Sequence, residues 1–138
     1  YLDAFVPEDG KALVDYATLQ IEPIQDLLKA GERLIPLPQN AYQDRWNITE
    51  QAVIDSAVPR LTPQPIKSFI QPVKAPLGLP KNINYTYIKL NGDQLEPFMQ
   101  FYEQALSDLH FETEKVEDGH MIMLTNPGKL VALLLDVK

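Results

Sequence analysis

From Leu95 to Leu109 the apolar residues Leu95, Phe98, Met99, Tyr102, Leu106 and Leu109, with Ala105, recur at helical spacing, and three runs follow without that period, the last two of them apolar. A helix with one apolar stripe must lie on a second layer. The runs Phe111 to Glu117, His120 to Thr125 and Lys129 to Val137 read as strands, preceded by another from Asn84 to Leu90. Asp118-Gly119 fits a two-residue hairpin, and Asn126-Pro127-Gly128 the next turn. Asp93 or Glu96 is expected to cap the helix. In that register Phe111, Ile122, Leu124, Val131, Leu133 and Leu135 share one face of the sheet, and Met121, Met123, Leu130, Ala132 and Leu134 the other. One helix covers one face. Leaving the second face wet would forgo several kcal/mol at roughly 25 cal/mol per Å², so the N-terminal half, a second subunit or a ligand is expected to cover it. The polar run Phe111 to Glu117 suits a sheet edge.

Upstream, the first ten residues read as an arm ending in Pro7-Glu8-Asp9-Gly10. Val14 to Ile21 alternates like a strand, and Glu22-Pro23 opens a short helix through Ala30 that Gly31 stops. Pro36 and Pro38 prevent its continuation. Thr49 to Ala57 predicts another short helix carrying Val53 and Ile54, with Trp46 as a nearby anchor. Prolines at 59, 63, 65, 72, 76 and 80 then exclude a helix interior or a central strand and predict an extended connector. Leu61, Ile66, Phe69, Ile70, Val73, Leu77 and Leu79 are spread along it, so it is not a plain flexible linker. Its Arg60, Lys67 and Lys74, with Lys81 just beyond, face no local acid, whereas Asn91 to Asp118 holds eight carboxylates and one Lys. That contrast suggests packing against the C-terminal part or a second copy; two unrelated solvated surfaces would look the same. Val14 to Ile21 also aligns without gaps on Ile83 to Leu90, and each is followed by a Glu-Pro-apolar opening, as a decayed duplication would leave it.

The expected fold class is α+β. A C-terminal βαβββ module with a mostly antiparallel sheet and one covering helix follows a less regular N-terminal half with a short βα unit and a proline-rich connector. The expected divisions are 1–58, 59–82 and 83–138 around one shared core.

At 138 residues and a formal net charge of −7, the chain is sized for one ordinary domain and lacks the clustered Lys and Arg that a nucleic-acid groove needs. No cysteine is present, so disulfides, a thiolate nucleophile and a Cys-type zinc site are excluded. No apolar run approaches the roughly 20 residues that span a bilayer. A first residue of Tyr1 rather than Met, with the lack of cysteine, is read as pointing to export or an envelope location. The sequons Asn47-Ile48-Thr49 and Asn84-Tyr85-Thr86 matter only in a eukaryotic secretory route.

The run Tyr85 to Leu90, the segment Asp93-Gln-Leu-Glu-Pro-Phe-Met-Gln-Phe-Tyr102-Glu-Gln-Ala-Leu106, the Phe111 strand and the closing Leu130-Val-Ala-Leu-Leu-Leu135 together resemble one module of the glyoxalase and bleomycin-resistance family, the vicinal oxygen chelate fold. The Phe101-Tyr102 pair followed by Leu106 matches that family's helix end. The resemblance covers residues 83–137 and implies two modules facing each other, within one chain or across a dimer. Its metal-binding members carry His or Glu on the first and last strands, where this chain has Tyr85, Tyr87, Leu133 and Leu135. The resemblance therefore implies the fold without the metal chemistry.

No catalytic residue, metal site or cofactor is assigned. His110, Glu112 and Glu114 have period-two spacing that could hold a cation, but a solvated edge explains them as well. Ser107, Asp108 and His110 are near in sequence, which is not the spatial geometry of a triad. Tyr85 and Tyr87 offer rings with polar tips, and Met121 and Met123 adaptable thioethers. Phe69 and Lys74 represent the proline-rich stretch. These six are the expected ligand- or partner-binding residues. The leading expectation is a noncatalytic protein-interaction or assembly module that binds a protein partner or a second copy through the second sheet face or the proline-rich segment. The alternative is a glyoxalase-like small-molecule site, enzymatic or sequestering.

Overall fold

The fold comes from a computed structural model that describes residues 1–37, 42, 46, 48–92 and 96–137, with Glu96 described by its backbone. The elements run as 3-10 turns at Leu13–Asp15 and Thr18–Gln20, helix α1 (Ile21–Lys29), strand β1 (Leu34–Ile35), helix α2 (Gln51–Ala57), a 3-10 turn at Val58–Arg60, strand β2 (Gln64–Pro65) and helix α3 (Lys67–Ile70). Strand β3 (Tyr85–Leu90), helix α4 (Glu96–Ser107), strand β4 (Phe111–Val116) and helices α5 (Ile122–Thr125) and α6 (Pro127–Asp136) complete the order. The chain is α+β, with small sheets. Its segments form two compact units that interleave along the sequence: Tyr1–Ala4 with Gln39–Leu61 and Lys81–Lys138, and Phe5–Pro38 with Thr62–Pro80.

In the first unit β3 and β4 pair in parallel, from Tyr85 opposite Phe111 to Leu90 opposite Val116. Parallel neighbours need a crossover, and α4 supplies it. The arm lies along β3 on its other side: Leu2 bridges Ile88 in parallel, Tyr1 N donates to Thr86 O at 2.7 Å, Ile88 N to Tyr1 O at 2.8 Å and Asp3 N to Ile88 O at 2.8 Å. Period two then sorts the side chains. Tyr87 and Lys115 meet α4, the Tyr87 hydroxyl donating to Phe98 O at 3.2 Å and Lys115 Nζ lying 4.8 Å from the Tyr102 ring centre. Ile88, Leu90 and Val116 point the other way and pack with Ile122, Leu2, Leu130 and Leu133.

Residues 120–137 thus cover the second face instead of extending the sheet, and the expected strands over His120 to Thr125 and Lys129 to Val137 are helices. The sheet is parallel where a mostly antiparallel one was expected. Asn-Pro is the point at which the two readings part. Asn126 Oδ1 accepts from Lys129 N at 3.4 Å and Pro127 fills the first helical turn, so the expected turn is a helix start. Beyond it, Leu130 and Leu133 to Leu135 favour helix, with Val131 and Val137 the β-branched exceptions. The hairpin expected at Asp118-Gly119 is absent as well. Gly119 is not among the positive-φ glycines, and its N–H is taken by Asp118 Oδ1 at 3.0 Å. The expected helices at 22–30, 49–57 and 95–109 and the strands at 84–90 and 111–117 correspond to α1, α2, α4, β3 and β4 within two residues at each described end. Pro38, Asn47, Asp93 and Leu95 lie outside the described residues.

The turn out of β4 is tight against Gly92. Gly92 N donates to Asp118 O at 2.8 Å, and a Cβ on Gly92 would stand 2.6 Å from Asp118 C and O and 2.8 Å from Gly119 N. The obstruction is backbone, which cannot swing aside. Gly92→Ala is expected to destabilise by about 1–3 kcal/mol, the usual range for forced overpacking; a urea midpoint equal to that of wild type would contradict this close approach.

The second unit buries Ala12, Ile24 and Ile66. The strand expected over Val14 to Ile21 is instead a pair of 3-10 turns leading into α1, so the echo with residues 83–90 has no structural counterpart. Gly31, at φ 82°, ends the helix as expected. The proline-rich stretch is fastened into this unit. Val73 N donates to Lys11 O at 2.8 Å, Gly10 N to Val73 O at 2.9 Å and Ala75 N to Asp9 Oδ1 at 2.8 Å, while β2 pairs antiparallel with β1. Such a stretch is a structural part rather than a spacer.

Candidate functional site

Lys89 is the one charged residue of β3, on the face it shares with Tyr85 and Tyr87. Its ammonium is met by the arm. Asp3, held at φ 43° in a region that Asp tolerates better than most residues, places Oδ1 2.7 Å from Lys89 Nζ and 3.4 Å from Leu90 N. Lys89 Nζ also donates to Leu90 O. The second carboxylate oxygen, Oδ2, lies 2.9 Å from His120 Nδ1, on the turn that precedes α5. The side chains of Lys89 and Asp3 are 2% and 0% exposed, that of His120 25%. Phe98 of α4 lies parallel to the imidazole, 8° between planes and 5.0 Å between centres. Four segments thus build the cluster: the arm, β3, α4 and the turn after β4.

Aromatic side chains flank it. Tyr1 lies 6.3 Å from Tyr85, 6.4 Å from Tyr87 and 6.0 Å from Phe111, and Tyr85 stacks on Phe111 at 5.1 Å. The Tyr87 hydroxyl donates to Ala4 O at 2.7 Å. Burial drives the Tyr87 phenol above its ordinary pKa, and the Asp3 carboxylate acts in the same direction. In the second unit burial, then Glu8, pushes Tyr16 up to about 12. A phenol whose folded-state pKa is raised contributes stability that is whole below its unfolded value of 10 and is lost as pH climbs through the folded value. Alkaline titration followed at the tyrosinate absorbance should therefore show Tyr16 and Tyr87 ionising only above their ordinary value of 10, together with unfolding. Six equal phenols titrating near pH 10 in folded protein would contradict it.

Of the expected binding residues, Tyr85 and Tyr87 come together here, with Tyr87 fully buried. Met121 is half-buried beside His120 in sequence, and Met123 is exposed on α5. Half-buried Phe69 and exposed Lys74 belong to the second unit. Ser107 Oγ turns back onto α4, donating to Gln104 O at 2.8 Å, while His110 N and Nδ1 each lie 2.9 Å from Asp108 Oδ1. Those hydrogen bonds, the backbone one first, hold the Asp108 carboxyl below its ordinary value.

Asp3, Lys89, His120 and Phe98 were not legible as a site. Lys89 did carry a signal, since period two puts a charge on the face of two tyrosines; Asp3, in an arm without periodicity, carried none. Among the described residues, no group of three or more His, Cys, Asp and Glu side chains is gathered to hold a metal ion, and no helix is long and apolar enough to cross a membrane. Set against protein-family models, curated proteins and solved structures, the chain matches none of them.

Proposed function

We propose that the chain is a noncatalytic interaction and assembly module whose docking surface is the uncovered flank of α6. The observation behind this reading is the exposure of three large apolar side chains on one short helix: Val131 at 56%, Leu134 at 55% and Leu135 at 80%. At 3.6 residues per turn they fall in one arc beside the core-facing Leu130 and Leu133. Met123 and Leu124 on α5 are also exposed. Contiguous apolar surface of this kind favours a protein partner.

The occupant assigned is a second copy. Residues 130–135 carry no charge, so two copies of an acidic chain can meet there about a two-fold axis without opposing like charges. The proline-rich stretch, with exposed Lys74, has the secondary role in this reading. Sedimentation across a wide concentration range tests it. Wild type should associate, and Leu135→Asp should remain monomeric with the melting temperature that wild type shows when diluted to monomer. A wild-type chain that is monomeric at every concentration sinks the assembly reading. Stabilisation of such a monomer by a small molecule would favour a pocket of the glyoxalase kind instead.

A further inference from the structure

The Asp3, Lys89 and His120 cluster has no part in a docking surface on α6, yet it places a primary amine, a carboxyl group and a proton donor together away from water. We propose that the chain closes an isopeptide bond between Lys89 Nζ and Asp3 Cγ, releasing one water, with His120 as the acid that discharges the leaving oxygen.

Position comes first. Asp3 N donates to Ile88 O at 2.8 Å, which holds the arm against β3 so that Asp3 and Lys89 meet across neighbouring strands. With Nζ 2.7 Å from Oδ1, one further C–O bond puts Nζ within about 4 Å of Cγ at most. A nucleophile held this near its carbon needs little further ordering.

Surroundings come second. In water an amine and a carboxylic acid stay apart as solvated ions. Here the two side chains are 2% and 0% exposed, which removes the solvation that stabilises those ions and excludes the water that would reopen an amide. The proton that Lys89 Nζ gives up is carried on Oδ2, leaving a neutral amine and a carboxylic acid whose carbonyl is Cγ–Oδ1. The Nζ lone pair then forms the N–C bond at Cγ as the carbonyl π bond opens. His120 Nδ1, 2.9 Å from Oδ2, delivers a proton to that oxygen and is reprotonated from the attacking nitrogen. The Cγ–Oδ2 bond breaks, water leaves with Oδ2, and Oδ1 remains as the amide carbonyl. One amine and one acid give one amide and one water, with no oxidant or reductant.

His120 also marks the way out. Its side chain is 25% exposed while its two partners are sealed, and Phe98 keeps its ring flat against the cluster at 5.0 Å. The departing water is released on the side that reaches solvent.

Intact-mass spectrometry of the full wild-type chain decides the matter without any variant. The expected mass is the sequence mass less one water, trypsin should fail to cut after Lys89, and fragmentation should yield a branched peptide joining Asp3 to Lys89. Asp3→Ala and Lys89→Arg should keep the full sequence mass. His120→Ala, compared at equal folded fraction, should lose water at least about a hundredfold more slowly, as removal of a positioned acid does. Wild type that stays at full mass after long incubation in folding buffer, with normal cleavage after Lys89, makes the cluster an ion pair and overturns the proposal. Water loss that maps to a cyclic imide at Asp118-Gly119 and disappears in mild alkali overturns it too, as does the same loss in Lys89→Arg.

Discussion

Asp3→Ala is expected to destabilise the chain by roughly 3–5 kcal/mol relative to wild type taken before the Asp3–Lys89 amide closes, because it strands the Lys89 ammonium in a water-free position with its counter-ion gone. The size follows from burial rather than from attraction: a comparable pair at the surface is worth about 0–1 kcal/mol. Lys89→Met removes the charge together with its need for a partner, so Asp3→Ala added to Lys89→Met should cost much less than the sum of the two changes made alone. Denaturant midpoints for the two single variants and the double variant complete the cycle. A loss below about 1 kcal/mol for Asp3→Ala would mean that water reaches Lys89, contrary to its 2% exposure.

Ile122→Ala is expected to cost about 2–5 kcal/mol, the range for deleting a large aliphatic side chain from a packed interior. Ile122 is wholly buried and joins the core that holds Ile88, Leu90 and Val116. The residues after it give a sharper test. Alanine at Leu130 and Leu133 should lower the unfolding midpoint, whereas alanine at Leu134 and Leu135 should leave the isolated chain close to wild type. That is the spacing of a helix with one face inward. A strand would make Leu133 and Leu135 sensitive together and spare Leu134, so thermal melts of these four variants distinguish the two conformations.

The elements with a clear period were legible before any coordinates. The extents of α4 and β3 and the Gly31 stop follow from local chemistry, but packing redraws the α4 stripe: Phe98, Tyr102 and Ala105 are buried together with Phe101, which the stripe left out, while Leu106 and Leu109, which it included, are exposed. The apolar tail was harder. A run such as Leu130 to Leu135 has no polar face to set its period, and length alone does not separate a buried strand from a short helix. Asn126-Pro127 could have decided it, because the pair serves as a helix cap and first turn as readily as a turn between strands. The expected second cover was argued from Met121, Met123, Leu130, Ala132 and Leu134 as sheet residues, and that premise fails: none of them lies in a strand, and Ile122, Leu130 and Leu133 of the same segment pack on Ile88, Leu90 and Val116. In Val14 to Ile21 the alternation is real in the sequence, but the prolines and short turns of its unit leave it no strand to pair with. The polar cluster stayed hidden for a different reason. Asp3 is recognisable only once the arm is laid against β3, a pairing between distant parts of the chain that no local pattern encodes.

The arm's place beside β3 bears on how the chain is made. Asp3 hydrogen-bonds with partners 86 and 117 residues further on, at Lys89 and His120. During synthesis the first residues leave the ribosome long before either partner exists, and the intervening Phe5–Pro38 belongs to a different unit. Contacts so remote in sequence slow folding, since the closure entropy of a long loop must be met before they form. The arm therefore waits through the synthesis of 117 residues before its cluster is complete, and in that interval its own unpaired backbone is what a chaperone has to shield.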